Sequence, residues 1–123
     1  MLLAIDVGNT NSKFAVFDGD KLLSQFRLRT EPKRTADEYA AWLTQLMQLQ
    51  GFDPTSIKGA ILASVVPAVN LHLRRLCETY FNTKLLIVGE PDVDLGIKVL
   101  IDRPQDAGAD RLVGVIAAYK RHG

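Results

Sequence analysis

Two short stretches of this chain concentrate the residue types that do chemistry on charged substrates. The first is Asp6-Val7-Gly8-Asn9-Thr10-Asn11-Ser12-Lys13, directly after an apolar run. It has the makings of an anion-holding loop. Gly8 lets backbone amides come close to a ligand without a Cβ in the way. Asn9, Thr10, Asn11 and Ser12 offer neutral donors, and Lys13 adds a positive charge. Asp6, at a strand end, is suited to a magnesium ion, which takes hard oxygen ligands and keeps several waters. The same residues also describe a polar β-turn, with an Asp capping it. Neither G-x-x-x-x-G-K-[ST] nor G-x-G-x-x-G occurs, which disfavours a Walker-type or Rossmann site.

The second stretch is Asp102-Arg103-Pro104-Gln105-Asp106-Ala107-Gly108-Ala109-Asp110-Arg111. It sets an acid beside a base at an expected helix start, where unpaired amides favour an anionic group. Arg111 can grip a carboxylate with two prongs, and Asp110 can take a proton from an attacking hydroxyl. The plainer reading is an Asp stabilised by the helix dipole next to a surface Arg. The residues alone leave both readings open.

The elements that must position these stretches follow from periodicity and punctuation. Leu2–Val7 reads as a buried strand entering a turn, with Lys13–Phe17 and Lys21–Leu28 as two further strands. Asp18-Gly19-Asp20 between them is a hairpin signal, so the opening reads as a three-stranded antiparallel meander. Arg29–Arg34, with Pro32, reads as a loop. Thr35 and Glu38 have capping-box spacing, and Ala36, Tyr39, Ala40, Leu43, Leu46 and Met47 mark one face of a helix that Gly51 and Pro54 end. Trp42 falls off that stripe and is expected at an edge or interface.

A strand is expected within Ile57–Ser64. Pro67 then opens a helix whose inner face carries Val69, Leu73, Leu76, Cys77 and Tyr80. His72 falls on its polar face beside Arg74 and Arg75. Lys84–Val88 is a further strand, 92–104 an irregular link, and a last helix begins near Asp106. Meander first, then alternating helices and strands, is the order of a ribonuclease-H-like α/β domain: a mixed sheet flanked by helices.

Composition narrows the function classes. In 123 residues, 47% are hydrophobic and 24% charged, which suits one domain with a packed core. A net charge of +1 with dispersed Lys and Arg gives no field for nucleic acid. Cys77 is the single cysteine, so an internal disulfide is impossible, and neither His72 nor His122 has a metal-spaced partner. No stretch is long enough to cross a bilayer, and a cytoplasmic protein is the expectation.

Asp-x-Gly-Asn-Thr after an N-terminal strand, Ser64-Val65-Val66-Pro67, and Pro-x-x-x-Gly-Ala-Asp-Arg ending at Arg111 occur here in that order. Together they resemble the type III pantothenate kinases, part of the larger actin-like group that includes acetate and sugar kinases and heat-shock ATPases. The resemblance implies an enzyme that moves the γ-phosphoryl group of ATP to the primary hydroxyl of pantothenate, the first step toward coenzyme A. By it, Asp6–Lys13 would hold the nucleotide phosphates and magnesium, with Asp6 at the metal. Gly108, Ala109, Asp110 and Arg111 would contact pantothenate, with Asp110 as catalytic base. It further implies a monovalent cation (potassium or ammonium) and a homodimer.

Where many relatives carry Tyr and Asn, this chain has Ile101 and Gly114. Residues 1–123 are expected to be the N-terminal ribonuclease-H-like domain, lacking the family's second domain and therefore inactive as an isolated half. A regulatory or binding protein of the same family is the competing reading. Asp6, Asp110 and Arg111 together favour the enzyme, because a pure binding module has no need of a base beside a carboxylate receptor.

Overall fold

The computed structural model describes residues 1–19 and 21–88. The expected helix from Asp106, the link 92–104, the Gly108–Arg111 segment, Ile101 and Gly114 all lie outside the described residues. Within them, five strands form one sheet: β1 Leu2–Val7, β2 Asn11–Asp18, β3 Lys21–Arg29, β4 Gly59–Ser64 and β5 Leu85–Ile87. Their order is β3-β2-β1-β4-β5, with β1–β2 and β2–β3 antiparallel and β1–β4 and β4–β5 parallel. The expected meander and mixed sheet are therefore present. Gly19 takes φ 61° in the β2–β3 turn, the left-handed geometry for which glycine carries no Cβ penalty.

Alternation along the strands sorts side chains onto two faces. Leu3, Ile5 and Val7 of β1, Phe14 and Val16 of β2, and Ala60 and Leu62 of β4 join the core formed with the helices. Ala4, Ala15, Phe17, Ile61 and Ala63 form a second buried cluster on the opposite face. Burial on both faces explains why β1 and β4 read as continuous apolar runs rather than alternating ones.

Helix α1, Ala36–Leu49, starts as its sequence demands. The Thr35 hydroxyl accepts from the Glu38 amide at 3.2 Å, and the Glu38 carboxylate accepts from the Thr35 amide at 3.0 Å. Donation from the Thr35 amide, and from the Thr35 hydroxyl, to the Glu38 carboxylate holds that carboxyl below its ordinary pKa. Tyr39, Ala40, Leu43 and Met47 are buried.

Trp42 lies at the edge of the core, as expected of a residue off the main stripe. It is half-buried and packs edge-on against Phe14 (5.2 Å between centroids) and Phe26 (6.4 Å), closing the core over β2 and β3. A stripe defined by helix periodicity misses it because an indole is long enough to reach back to the sheet from the stripe's margin.

A 3-10 turn at Pro67–Val69 leads into α2, Asn70–Tyr80. Leu73, Leu76 and Cys77 are buried as expected, but Tyr80 is 44% exposed. Its hydroxyl donates to Oδ1 of Asp37 on α1, which pushes the phenol's pKa up. Tyr80 therefore links the two helices at the surface rather than filling the core.

Two outcomes follow. Thr35→Ala removes the α1 cap and is expected to lower stability by about 1 kcal/mol in urea melts, with Thr35→Ser close to wild type. Burial, helped by Glu78, pushes the Cys77 thiol up to about 12. Cys77 should therefore react with a disulfide reagent at pH 8 only after unfolding, and rapid labelling of the native protein would show that α2 opens locally.

Candidate active site

The site begins with the pleat of β1. Leu3, Ile5 and Val7 point to the helix-side core, so Asp6 must point to the other face. There the residue is 8% exposed, one position before the strand ends. The register sets Lys13 of β2 across from Asp6 on one side and Ala63 of β4 on the other. An acid and a base thus share a face at the strand end, and the β4 neighbour is only a methyl group.

Between Val7 and Asn11 the chain turns tightly. The Gly8 amide donates to the Asn11 carbonyl at 2.9 Å. A Cβ on Gly8 would stand 3.3 Å from that same carbonyl oxygen, closer than side chains ordinarily sit, so glycine serves the closure of the turn itself. Asn9, Thr10 and Asn11 are exposed, while Ser12 is 1% exposed. Among the described residues, the Asn9 and Thr10 amides donate to no backbone carbonyl. Such amides on a tight loop suit an anion.

Thr30, the residue after β3, braces the loop from the far side of β2. Its amide donates to the Thr10 carbonyl at 2.8 Å, and its hydroxyl donates to the Gly8 carbonyl at 2.8 Å. The Ser12 hydroxyl lies 2.9 Å from the Thr30 hydroxyl. Thr30 has one hydroxyl hydrogen and Gly8 takes it, so Ser12 is the donor in that pair. Sequence reasoning missed Thr30 by treating Arg29–Arg34 as a plain polar loop. The available signal was its position: a hydroxyl at the end of the third meander strand falls opposite the β1–β2 turn.

The Ser64-Val65-Val66-Pro67 segment stands beside the same loop. Val7 and Ser64 are register partners, and the Val65 amide donates to the Val7 carbonyl at 3.0 Å. The Ser64 hydroxyl accepts from the Val66 amide at 3.0 Å, shaping the turn into α2. Two of the three sequence elements thus meet at the carboxyl ends of neighbouring parallel strands, where open α/β sheets place ligands.

Of the first stretch, Asp6, Gly8, Asn9, Thr10, Asn11 and Lys13 border this end of the sheet. The Val7 side chain lies in the core and the Ser12 hydroxyl is engaged with Thr30. Gly108, Ala109, Asp110 and Arg111 lie outside the described residues.

Chemically, the arrangement offers amides and neutral side chains to an anion, with one carboxylate and one ammonium beside it. Among the described residues, no three His, Cys, Asp or Glu side chains come together as a metal cage. A mostly buried aspartate next to an anion loop still fits magnesium, which takes few protein carboxylates and otherwise phosphate oxygens and water. Among the described residues no helix is long and apolar enough to cross a membrane.

Comparison with known proteins agrees with this geometry. The family model described as type III pantothenate kinase matches residues 2–123. Curated type III pantothenate kinases from Rhodospirillum rubrum and Paramagnetospirillum magneticum are each 53% identical, over 122 and 120 residues, or 99% and 98% of this chain. Those matches cover 48% and 46% of the relatives, so the chain spans about half the length of the curated proteins it matches. Among solved structures, the ROK hexokinase from Thermus thermophilus aligns with a TM-score of 0.54 at 19% identity, covering 89% of this chain and 40% of that one. That likeness establishes the fold, the actin-like one of sugar kinases. With the family model matching nearly every residue, and the loop from Asp6 to Lys13 standing at the carboxyl ends of β1 and β4, this chain belongs to the type III pantothenate kinase family.

Proposed function

We propose that the protein carrying this chain transfers the γ-phosphoryl group of ATP to the primary hydroxyl of pantothenate. The observation that carries the proposal is the anion loop beside the buried Asp6, at the carboxyl ends of two adjacent parallel strands, in a member of this family. Phosphoryl transfer depends mainly on positioning and charge neutralisation, and the loop supplies both. The Asn9 and Thr10 amides and Lys13 hold the phosphates, while Asp6 holds magnesium directly or through water. Magnesium, when bound, offsets the negative charge that builds on the phosphoryl oxygens.

Gly108–Arg111 is assigned to the acceptor. Arg111 pairs with the pantothenate carboxylate, and Asp110 accepts the hydroxyl proton as the hydroxyl oxygen bonds to the γ-phosphorus and the bond to ADP breaks. Potassium or ammonium as a further cation, a homodimer and a cytoplasmic location belong to the same reading. So does the assignment of residues 1–123 to one ribonuclease-H-like domain of a two-domain enzyme. The remaining groups around the nucleotide then come from the half of the family's length outside the match, and the 123 residues alone are expected to phosphorylate pantothenate poorly.

Two substitutions in the full natural gene product test this, read by ADP release coupled to pantothenate addition. Asp6→Asn is expected to lower kcat/KM about a hundredfold or more and to weaken the response to magnesium. Asp110→Asn should lower kcat by about 10²–10⁴-fold while leaving MgATP affinity within about twofold. Loss of ATP binding in Asp110→Asn would move that residue to the nucleotide site, and undiminished turnover in both variants would overturn the proposal.

A further inference from the structure

We infer that Thr30 is a positioning residue for the phosphate-holding loop, acting through Gly8 and Ser12 without touching the nucleotide. This rests on the reading that Asp6–Lys13 holds the nucleotide phosphates. A loop that binds an anion has to keep its carbonyl oxygens away from the ligand, because each is the negative end of a peptide dipole. Thr30 takes two of them: its hydroxyl holds the Gly8 carbonyl and its amide holds the Thr10 carbonyl, both at 2.8 Å.

The consequence for the amides is geometric. There are no cis peptides among the described residues, and in a trans peptide the C=O of one residue and the N–H of the next point in opposite directions. Holding the Gly8 carbonyl against Thr30 therefore aims the Asn9 amide away from Thr30, on the open side of the loop. Ser12 completes the brace. It is 1% exposed, and its hydrogen goes to the Thr30 oxygen, which lies within 2.9 Å. Ser12 is thereby an internal strut, and the donors facing phosphate are the amides and the exposed side chains of residues 9–11.

The brace also has a distinctive mechanical origin. Thr30 stands at the exit of β3, which is hydrogen-bonded along β2 from Lys21 to Arg29. The loop is thus pinned from two directions: by the Val65 amide on the Val7 carbonyl, and by Thr30 on the Gly8 and Thr10 carbonyls. Without the Thr30 hydroxyl, the Gly8–Asn9 peptide keeps no side-chain restraint and is free to rotate its carbonyl toward the ligand.

The test uses the full natural gene product and three variants: Thr30→Val, Thr30→Ser and, as a control, Thr44→Val. The Thr44 hydroxyl donates to the Ala40 carbonyl inside α1, so its loss costs a comparable bond remote from the loop. Calorimetric titration with MgATP should show about tenfold weaker binding for Thr30→Val. Thr30→Ser should stay near wild type, and Thr44→Val should melt earlier with unchanged nucleotide affinity. The KM for pantothenate should stay within about twofold in all three, because the brace acts on the phosphate loop alone.

Equal MgATP affinity in wild type and Thr30→Val would overturn the inference, as would equal weakening in Thr44→Val. If Thr30→Val fails to fold, Ser12→Ala decides the matter in the same titration: a several-fold loss supports the brace and none refutes it. Failure of the wild-type protein to bind MgATP would instead refute the parent reading of the loop, an outcome separable from all of these.

Discussion

The pleat of β1 is the constraint on which the site depends. This strand is hydrogen-bonded on both sides, antiparallel to β2 and parallel to β4, and both of its faces are buried. Leu3, Ile5 and Val7 can satisfy the helix-side core only if Asp6 points the other way. A slip of one residue in register would drive a carboxylate into the packing of Phe14, Leu43 and Leu62, at the high cost of burying an unpaired charge. The packing of the core alone therefore fixes the face on which Asp6 stands. The same packing fixes Lys13 across from Asp6 and Ser64 across from Val7.

Much of this was legible because local rules and tertiary packing agree here. The turn chemistry of Asp18-Gly19, the Thr35–Glu38 box and the apolar runs at Leu2–Val7 and Ala60–Ala63 each specify their element unaided. The loop Asp6–Lys13 was legible by composition and by resemblance together, and its place at the strand ends followed from the element order. The Gly108–Arg111 segment was equally visible in the sequence, but it lies outside the described residues.

What escaped the sequence depended on distances between elements. The partners of Trp42 were not legible, because periodicity describes where a Cβ points, whereas an indole at the margin of the stripe still reaches Phe14 and Phe26. Tyr80 fitted an inner-face pattern, yet its ring is partly exposed and its hydroxyl reaches Asp37 of α1 at the surface. Thr30 looked like any polar loop residue. Its significance arises only when β3 pairs with β2 and ends level with the turn between β1 and β2.

That pairing also explains why the first stretch has the spacing it does. A tight antiparallel turn returns the chain along its own path, so the residues bracketing it are matched pairwise: Val7 with Ser12, Asp6 with Lys13. Acid and base are neighbours because the turn between them is closed by the Gly8–Asn11 bond. A longer loop would hold more donors but would let that match slide. A shorter one would leave no exposed amides for an anion. The residues between Asp6 and Lys13 therefore meet two demands at once: alternation keeps Val7 and Ser12 inside, and closure of the turn leaves Asn9, Thr10 and Asn11 outside. Glycine at position 8 reconciles them, since any side chain there would press on the carbonyl that closes the turn.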